Sequence, residues 1–299
     1  MHIEILLEEF CQYARYMRGV SSETEKRYRE KVSYFSKASK ISLISNVTEQ
    51  VVQSFFIHGR KDKKWKVSTY RTYYMTLLVF FRWCVKNQHL EKNYLEGFEL
   101  PKLEKSLPKK IKKEEALRLL EIAYNYPYSQ NYLKYRNHAI FSLFLFAGLR
   151  KNELLHLKLA DIDIENLSIF VRMGKGNKDR IIPMNQRLAQ TLNRYLIQRN
   201  KKGKTCPEFF TSSIQNKGFT GTGLKLISNK LKQASGISFT IHKLRHTFAT
   251  LMLEGGCDIY SLSKMMGHSD IKTTTIYLSA SAEHLRGQIL KHPLNDLVT

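Results

Sequence analysis

The sequence has few acidic residues, few cysteines and no long apolar run. Against 49 lysines and arginines it has 26 aspartates and glutamates among 299 residues, so its formal net charge is +23. This charge favours a polyanionic partner, because lysine and arginine contacts to phosphates dominate nucleic-acid affinity. A scaffold protein that only neutralises RNA could have the same composition, so charge alone does not separate the two.

The four cysteines, Cys11, Cys84, Cys206 and Cys257, are far apart in the sequence. Their spacing matches neither the paired ligands of a zinc site nor a disulfide framework. We therefore expect reduced thiols in a cytoplasmic protein.

The most apolar run, Ala139 to Leu149, is shorter than the roughly 20 residues that cross a bilayer. Glu4, Glu8 and Glu9 lie where a signal peptide would carry no acidic residues. The sequence also shows no basic helix with a bulky apolar face that would bind a membrane surface. We expect no membrane partner.

Apolar spacing in the first hundred residues predicts a bundle of four helices. We expect them at 3–18, from a capping box at Ser22 to about Ala38, at 49–58 after a Thr48 cap, and at 69–86 after Ser68. A basic loop, 59–64, would separate the last two. Residues 101–112, with two prolines and many lysines, are typical of an extended linker. The predicted domains are therefore 1–100 and 113–299.

The second domain is predicted to be helical with one change of period. Three short β-branched segments, 162–164, 167–172 and 180–184, follow helices at 113–123, 139–146 and 151–157. Further helices are predicted at 187–198, 223–234, 242–254 and 259–266. The expected fold class is mainly α with a small antiparallel β-sheet, as an N-terminal helical bundle plus a C-terminal α+β domain.

Arg150 follows an apolar run, and Glu153 lies one helical turn further along. One interpretation is an ion pair that stabilises the junction between two helices, since a buried arginine needs a partner. The other is that Glu153 holds the guanidinium while its outer edge binds a phosphate. Sequence leaves both open.

Lys175 lies between two glycines in a predicted hairpin turn. This turn is either a solvated basic loop or a device that delivers an ammonium group as a general acid toward a leaving alkoxide. The glycine spacing excludes a P-loop.

His242 and Arg245 are three residues apart, so on a helix they point to the same side, and His246 adjoins them. His242 and His246 have the spacing of zinc ligands. However, no acidic residue lies where a zinc hydrolase needs one, and Arg245 would repel the metal. We expect no metal site and no cofactor.

Four segments in chain order resemble the catalytic motifs of tyrosine recombinases, also called phage integrases, and most of all those of Xer-like members. They are Ala147-Gly-Leu-Arg-Lys-Asn-Glu-Leu, Gly174-Lys-Gly-Asn-Lys-Asp-Arg, His242-Lys-Leu-Arg-His-Thr-Phe-Ala-Thr and residues 262–277. The helical first domain resembles the core-binding domain of this family. The resemblance implies a site-specific DNA recombinase.

The resemblance also implies a role for each site residue. Tyr277 would attack a DNA phosphodiester to form a 3′-phosphotyrosine and a free 5′-hydroxyl, independently of metal and ATP. The remaining residues would stabilise charge or move protons: Arg150 and Arg245 on the phosphate oxygens, Lys175 on the leaving oxygen, His242 at the tyrosine, His268 on the phosphate, and Glu153 orienting Arg150.

The expected partners are a double-stranded recombination site and further copies of the chain in a tetramer on two sites. A paralogous recombinase or an accessory DNA-translocating protein could also take part. By resemblance, the tail at 282–297 would dock on a neighbouring subunit. Two alternatives stay open, a type IB topoisomerase-like relaxing enzyme and a non-catalytic DNA-binding protein.

Overall fold

A computed structural model describes residues 1–103, 109–172, 179–268 and 270–277. Contacts divide the chain into two compact units, Met1–Lys105 and Ser106–Thr299. Both Lys175 and the predicted docking tail at 282–297 lie outside the described residues, as does the middle of the predicted linker.

The first unit is a helical bundle. Its helices are α1 (Ile3–Gln12), α2 (Ser22–Ala38), α3 (Glu49–Lys61) and α4 (Val67–Lys86), with a π-helical turn, Tyr13–Met17, extending α1. Gly19 ends the first segment with φ +63°, a conformation that glycine adopts without steric cost. The core between the helices is rich in aromatic rings, among them Phe10, Phe35 and Phe80.

The four-helix prediction is confirmed, with three corrections at the helix ends. Ser21 caps α2, because its Oγ accepts a hydrogen bond from the Thr24 amide at 3.3 Å; the predicted capping box at Ser22 was wrong. Helix α3 continues to Lys61 through the first residues of the predicted basic loop, and α4 begins at Val67. Thr48 caps α3 as predicted, accepting from the Val51 amide at 3.2 Å.

The second unit combines helices with a three-stranded sheet. Its first helices are α5 (Lys113–Asn125), α6 (Asn131–Phe146) and the short α7 (Lys151–Leu155). Four longer helices follow the sheet, α8 (Gln186–Lys201), α9 (Gly221–Ser235), α10 (Ile241–Glu254) and α11 (Ile259–Met266), and then the single turn α12 (Lys272–Thr275). Helix α6 begins eight residues before the predicted start; the prediction missed residues 131–138 because polar residues interrupt their apolar spacing.

Strands β1 (Ile162–Asp163), β2 (Ser168–Val171) and β3 (Arg180–Pro183) form an antiparallel sheet in chain order. Ile169 lies opposite both Ile162 and Ile182, and its side chain is buried in the main core of this unit. The expected fold class is confirmed. The alternation of buried and exposed residues sends Ile182 into the core and leaves Arg180, two residues earlier on the same face, at the end of the sheet.

Across the described ranges, none of the helices combines the length and the apolar character that crossing a membrane requires.

Candidate active site

A cleft of about 620 Å³ in the second unit gathers the predicted site residues. The lining includes five of the six: Arg150, His242, Arg245, His268 and Tyr277. They come from the start of α7, from α10 and from the segment after α11.

Arg150 is the residue that precedes the first turn of α7. Its amide donates to Glu153 Oε2 at 2.7 Å, and its Nη1 donates to Glu153 Oε1 at 2.7 Å. Its Nη2 reaches across to the Gly267 carbonyl at 2.9 Å. The guanidinium is thus held on one side by a carboxylate and on another by a backbone oxygen, and about a quarter of the side chain (25%) stays exposed toward the cleft.

Glu153 has a second and stronger partner that sequence reasoning missed. Arg180 Nη1 and Nη2 donate to the two Glu153 oxygens at 2.9 and 2.8 Å, and Arg180 Nε donates to the Met265 carbonyl at 2.8 Å. Bidentate pairing of this kind fixes the orientation of a carboxylate. Arg180 therefore connects β3, α7 and the end of α11.

The charge state of Glu153 follows from these contacts. Burial disfavours its ionised form, but the hydrogen bonds and charge of Arg180, with those of Arg150, outweigh burial and lower its pKa to about 2. Glu153 is therefore an anion at neutral pH and forms ion pairs with both Arg150 and Arg180.

Arg245 is almost fully buried, with 3% of its surface exposed. Its Nη1 donates to the Gly148 carbonyl, and its Nη2 donates to the Met266 carbonyl. Burial, reinforced by the charge of Arg150, lowers its pKa to about 9, and the nearest described carboxylate oxygen, on Glu153, is 3.9 Å away. A negative charge in the cleft would relieve this unfavourable burial of a cation.

His268 lies directly after Gly267, which ends α11 with φ +62°. Its Nδ1 is 2.7 Å from Thr274 Oγ1, and its Nε2 is 3.3 Å from Arg245 Nη2. The left-handed turn at Gly267 thus places an imidazole beside the buried guanidinium.

The Tyr277 side chain is buried, with 2% exposed, against an apolar cluster that includes Phe248, Leu262 and Met266. Burial raises the pKa of its hydroxyl, although the charges of Arg245 and Arg150 act in the opposite direction. The phenol is therefore protonated at neutral pH.

The histidine at the tyrosine hydroxyl is His246. Its Nδ1 lies 2.7 Å from Tyr277 Oη, whereas His242, the histidine expected at this position, packs its ring edge-on against His246 at a centroid distance of 4.2 Å. The only sequence signal for His246 was its place next to Arg245. Nothing in the sequence indicated that α10 would pack against the residues around Tyr277 so that His246 and Tyr277 are in contact.

Two family models match the chain. Residues 109–284 match the model described as "Phage integrase family", and residues 6–90 match "Phage integrase, N-terminal SAM-like domain". The two matches correspond to the two compact units.

Relatives that align with nearly the whole chain support the same family. "Tyrosine recombinase XerC" of Oceanobacillus iheyensis is 30% identical, over 97% of this chain and 97% of that protein. "Tyrosine recombinase XerA" of Pyrococcus horikoshii is also 30% identical, over 98% and 95%. Among solved structures, the XerH site-specific recombinase bound to difH substrate in a pre-cleavage complex is 26% identical with a TM-score of 0.70, over 95% of this chain and 83% of that one. The chain belongs to the phage integrase family and is an Xer-like tyrosine recombinase.

Proposed function

We propose that this recombinase cuts and rejoins double-stranded DNA at a specific site, with Tyr277 as the nucleophile. The observation that carries the proposal is a single cleft that contains a phenol, a buried guanidinium from Arg245 and a half-buried guanidinium from Arg150. The similarity to the XerH site-specific recombinase bound to difH substrate supports a specific recombination site as the substrate.

The two arginines bind the non-bridging oxygens of the scissile phosphate. Their charges stabilise the additional negative charge of the transition state, and donors positioned in advance typically contribute a factor of about 10²–10³ each. The carbonyls of Gly148, Met266 and Gly267 hold the two guanidinium groups in place. The guanidinium groups therefore need little reorganisation when the phosphate binds.

The Tyr277 oxygen attacks the phosphorus, forms a 3′-phosphotyrosine and releases a 5′-hydroxyl. His268, beside Arg245, donates a hydrogen bond to the phosphate, and Lys175 supplies the proton to the leaving oxygen.

His242 packs against His246, the histidine in contact with Tyr277, and supports proton transfer there. Glu153 orients Arg150. Since the phosphate bond energy is kept in the phosphotyrosine, rejoining needs no ATP. The cations of the chain take the role that a metal cofactor has in metal-dependent nucleases.

The +23 charge extends this proposal to the rest of the chain. The first unit holds the duplex through its basic residues, while the second performs the chemistry. We further propose that four copies assemble on two DNA sites, with or without a paralogue or a DNA-translocating partner, in the cytoplasm where that DNA lies.

The nucleophile can be tested even while the target sequence is unidentified. A pool of nicked suicide duplexes with a randomised core is incubated with the full chain, and covalent complexes are isolated under denaturing conditions. We expect a protein–DNA adduct through a 3′-phosphate at Tyr277. Tyr277→Phe should give none, whereas Tyr260→Phe, at a tyrosine with 61% of its surface exposed, should react normally. An adduct with Tyr277→Phe, or none with the unaltered chain, would refute the proposal.

The assembly proposal has a separate test. A chain that ends at Ala282 should bind one selected site as the full chain does, but form fewer complexes that join two sites. Equal assembly and recombination by the shortened chain would show that the tail does not connect subunits.

A further inference from the structure

We propose that His246 is a further catalytic residue, the group that accepts the proton of Tyr277 as the phenol attacks the phosphorus. This inference rests on the proposed function, since it assumes that Tyr277 is the nucleophile. It differs from the role expected for His242, because the base it names is the histidine in contact with the reacting oxygen.

The contact between His246 and Tyr277 is short and shielded from bulk water. His246 Nδ1 lies 2.7 Å from Tyr277 Oη, within the distance at which a general base acts. The Tyr277 ring is buried in an apolar cluster, so its hydroxyl has little access to bulk water. In the described parts of the chain, the side chain that hydrogen-bonds this hydroxyl is His246.

The protonation states fit the direction of transfer. Burial raises the pKa of Tyr277, so the hydroxyl carries its proton at neutral pH. Burial, and then the neighbouring His242 and Arg245, lower the pKa of His246 to about 4, so its ring is neutral. A neutral imidazole with its proton on Nε2 has a free lone pair on Nδ1, which accepts the hydrogen bond from the phenol.

The same surroundings connect proton transfer to substrate binding. The groups that face His246 are the neutral His242, the cation Arg245 and the phenol itself, and a new imidazolium would be repelled by Arg245. A phosphodiester bound to Arg150 and Arg245 brings a negative charge that compensates both arginines. His246 is then a stronger base with DNA bound than without it.

The step balances without any further reactant. The Tyr277 oxygen forms a bond to phosphorus while the bond from phosphorus to the 5′-oxygen breaks. The phenol proton moves to His246 Nδ1, and the leaving oxygen takes a proton from an acid on the opposite side, the role proposed for Lys175. In rejoining, the 5′-hydroxyl attacks phosphorus and returns its proton to that acid, the bond from phosphorus to the Tyr277 oxygen breaks, and the imidazolium returns its proton to the Tyr277 oxygen.

The experiment measures single-turnover cleavage of a suicide duplex selected by the unaltered chain. His246→Ala removes the base, and His246→Asn keeps a side chain that can hydrogen-bond the phenol but cannot take its proton. His156→Ala, at an exposed histidine of the same unit, is the matched control. At pH 7 we expect both His246 variants to be slower by about 100-fold or more and the control to be unchanged.

Two further readouts separate a base from a residue that only positions the tyrosine. The His246→Ala rate should rise about tenfold per pH unit below the phenol pKa, because phenolate then forms without a base. A 5′-bridging phosphorothiolate, whose thiolate leaves without a proton, should not repair the variant.

Full activity of His246→Asn would show that His246 only positions Tyr277. Normal cleavage of the phosphorothiolate substrate by His246→Ala would show that His246 acts on the leaving group instead. A His246→Ala rate equal to that of the unaltered chain would also overturn the inference. An adduct with Tyr277→Phe would instead overturn the proposed function, so the two failures are distinguishable.

Discussion

The Arg180 guanidinium donates two parallel hydrogen bonds to the Glu153 carboxylate, from a strand 27 residues further along the chain. Both side chains are buried, at 8% and 6% exposure. The pair lies behind the cleft rather than in it, and it holds the carboxylate that in turn holds Arg150. The phosphate site proposed for Arg150 and Arg245 thus depends on Arg180, which does not line the cleft.

Replacing Arg180 with methionine should destabilise the protein by about 3 kcal/mol. Removing one member of a buried ion pair costs about 3–5 kcal/mol, and the lower end applies because Arg150 still compensates Glu153. Urea unfolding should be followed by far-ultraviolet circular dichroism, because both tryptophans, Trp65 and Trp83, lie in the first unit.

Arg118→Met is the control for this substitution. Arg118 is exposed on α5, and within the described ranges it has no ion pair, so its loss should change stability by less than about 0.5 kcal/mol. Combining Arg180→Met with Glu153→Gln should cost less than the sum of the two single changes, since they remove the same interaction. Additive losses would show that the pair is not coupled.

Stability should also fall in acid because of Glu153. Its pKa is lowered from 4.5 to about 2 in the folded protein. The stabilisation is therefore complete above about pH 4.5 and is lost as the pH falls toward 2, a loss of roughly 3 kcal/mol at 1.36 kcal/mol per pKa unit. The unfolding free energies of the unaltered chain and Glu153→Gln should converge across this range; parallel curves would contradict the assignment.

The sequence allowed prediction of those features that depend on neighbours in the chain. Thr48 lies three residues before the amide it caps, and His242 and Arg245 share a helix face because they are one turn apart. The strands follow from β-branched runs. Helix α12 escaped prediction because its three threonines are poor helix formers.

What the sequence did not reveal depends on packing between distant segments. In the sequence Arg180 is simply the last residue of a basic turn, and its position against Glu153 and the Met265 carbonyl requires β3 to pack on both α7 and α11. The His246–Tyr277 contact joins residues 31 positions apart. No spacing rule covers such pairs, since helix periodicity relates only residues three or four apart.

Alanine at Gly267 should disturb the site as well as the turn. An added Cβ would lie 2.9 Å from Arg180 Nη1, whose guanidinium cannot move away because Glu153 and the Met265 carbonyl hold it. Gly256 is the matched control, with φ +88° and no atom within 4 Å of an added Cβ. Gly256→Ala should cost about 1–2 kcal/mol from backbone strain alone.

We expect Gly267→Ala to cost about 1 kcal/mol more than Gly256→Ala, within the usual range for overpacking. It should also slow adduct formation, because the Gly267 carbonyl holds Arg150 and His268 follows it. Equal stability losses and equal cleavage rates for the two variants would show that the close approach to Arg180 has no consequence.

An oxyanion should stabilise the free protein through Arg245. This guanidinium is buried with its pKa lowered to about 9, so an anion in the cleft favours the folded, charged form. At a vanadate concentration of 100 times its dissociation constant, the gain would be about 2.7 kcal/mol. Thermal unfolding at constant ionic strength should show a rise in Tm that saturates as vanadate fills the cleft.

Arg245→Gln should abolish the saturable part of this rise. Arg118→Gln, which removes one exposed positive charge from the same unit, should leave it unchanged. This comparison separates binding at the cleft from the general effect of salts, which act on all variants alike. If all three proteins gain the same Tm, or if the unaltered chain shows no saturation, then the cleft does not bind anions through Arg245 and the proposed phosphate clamp is incorrect.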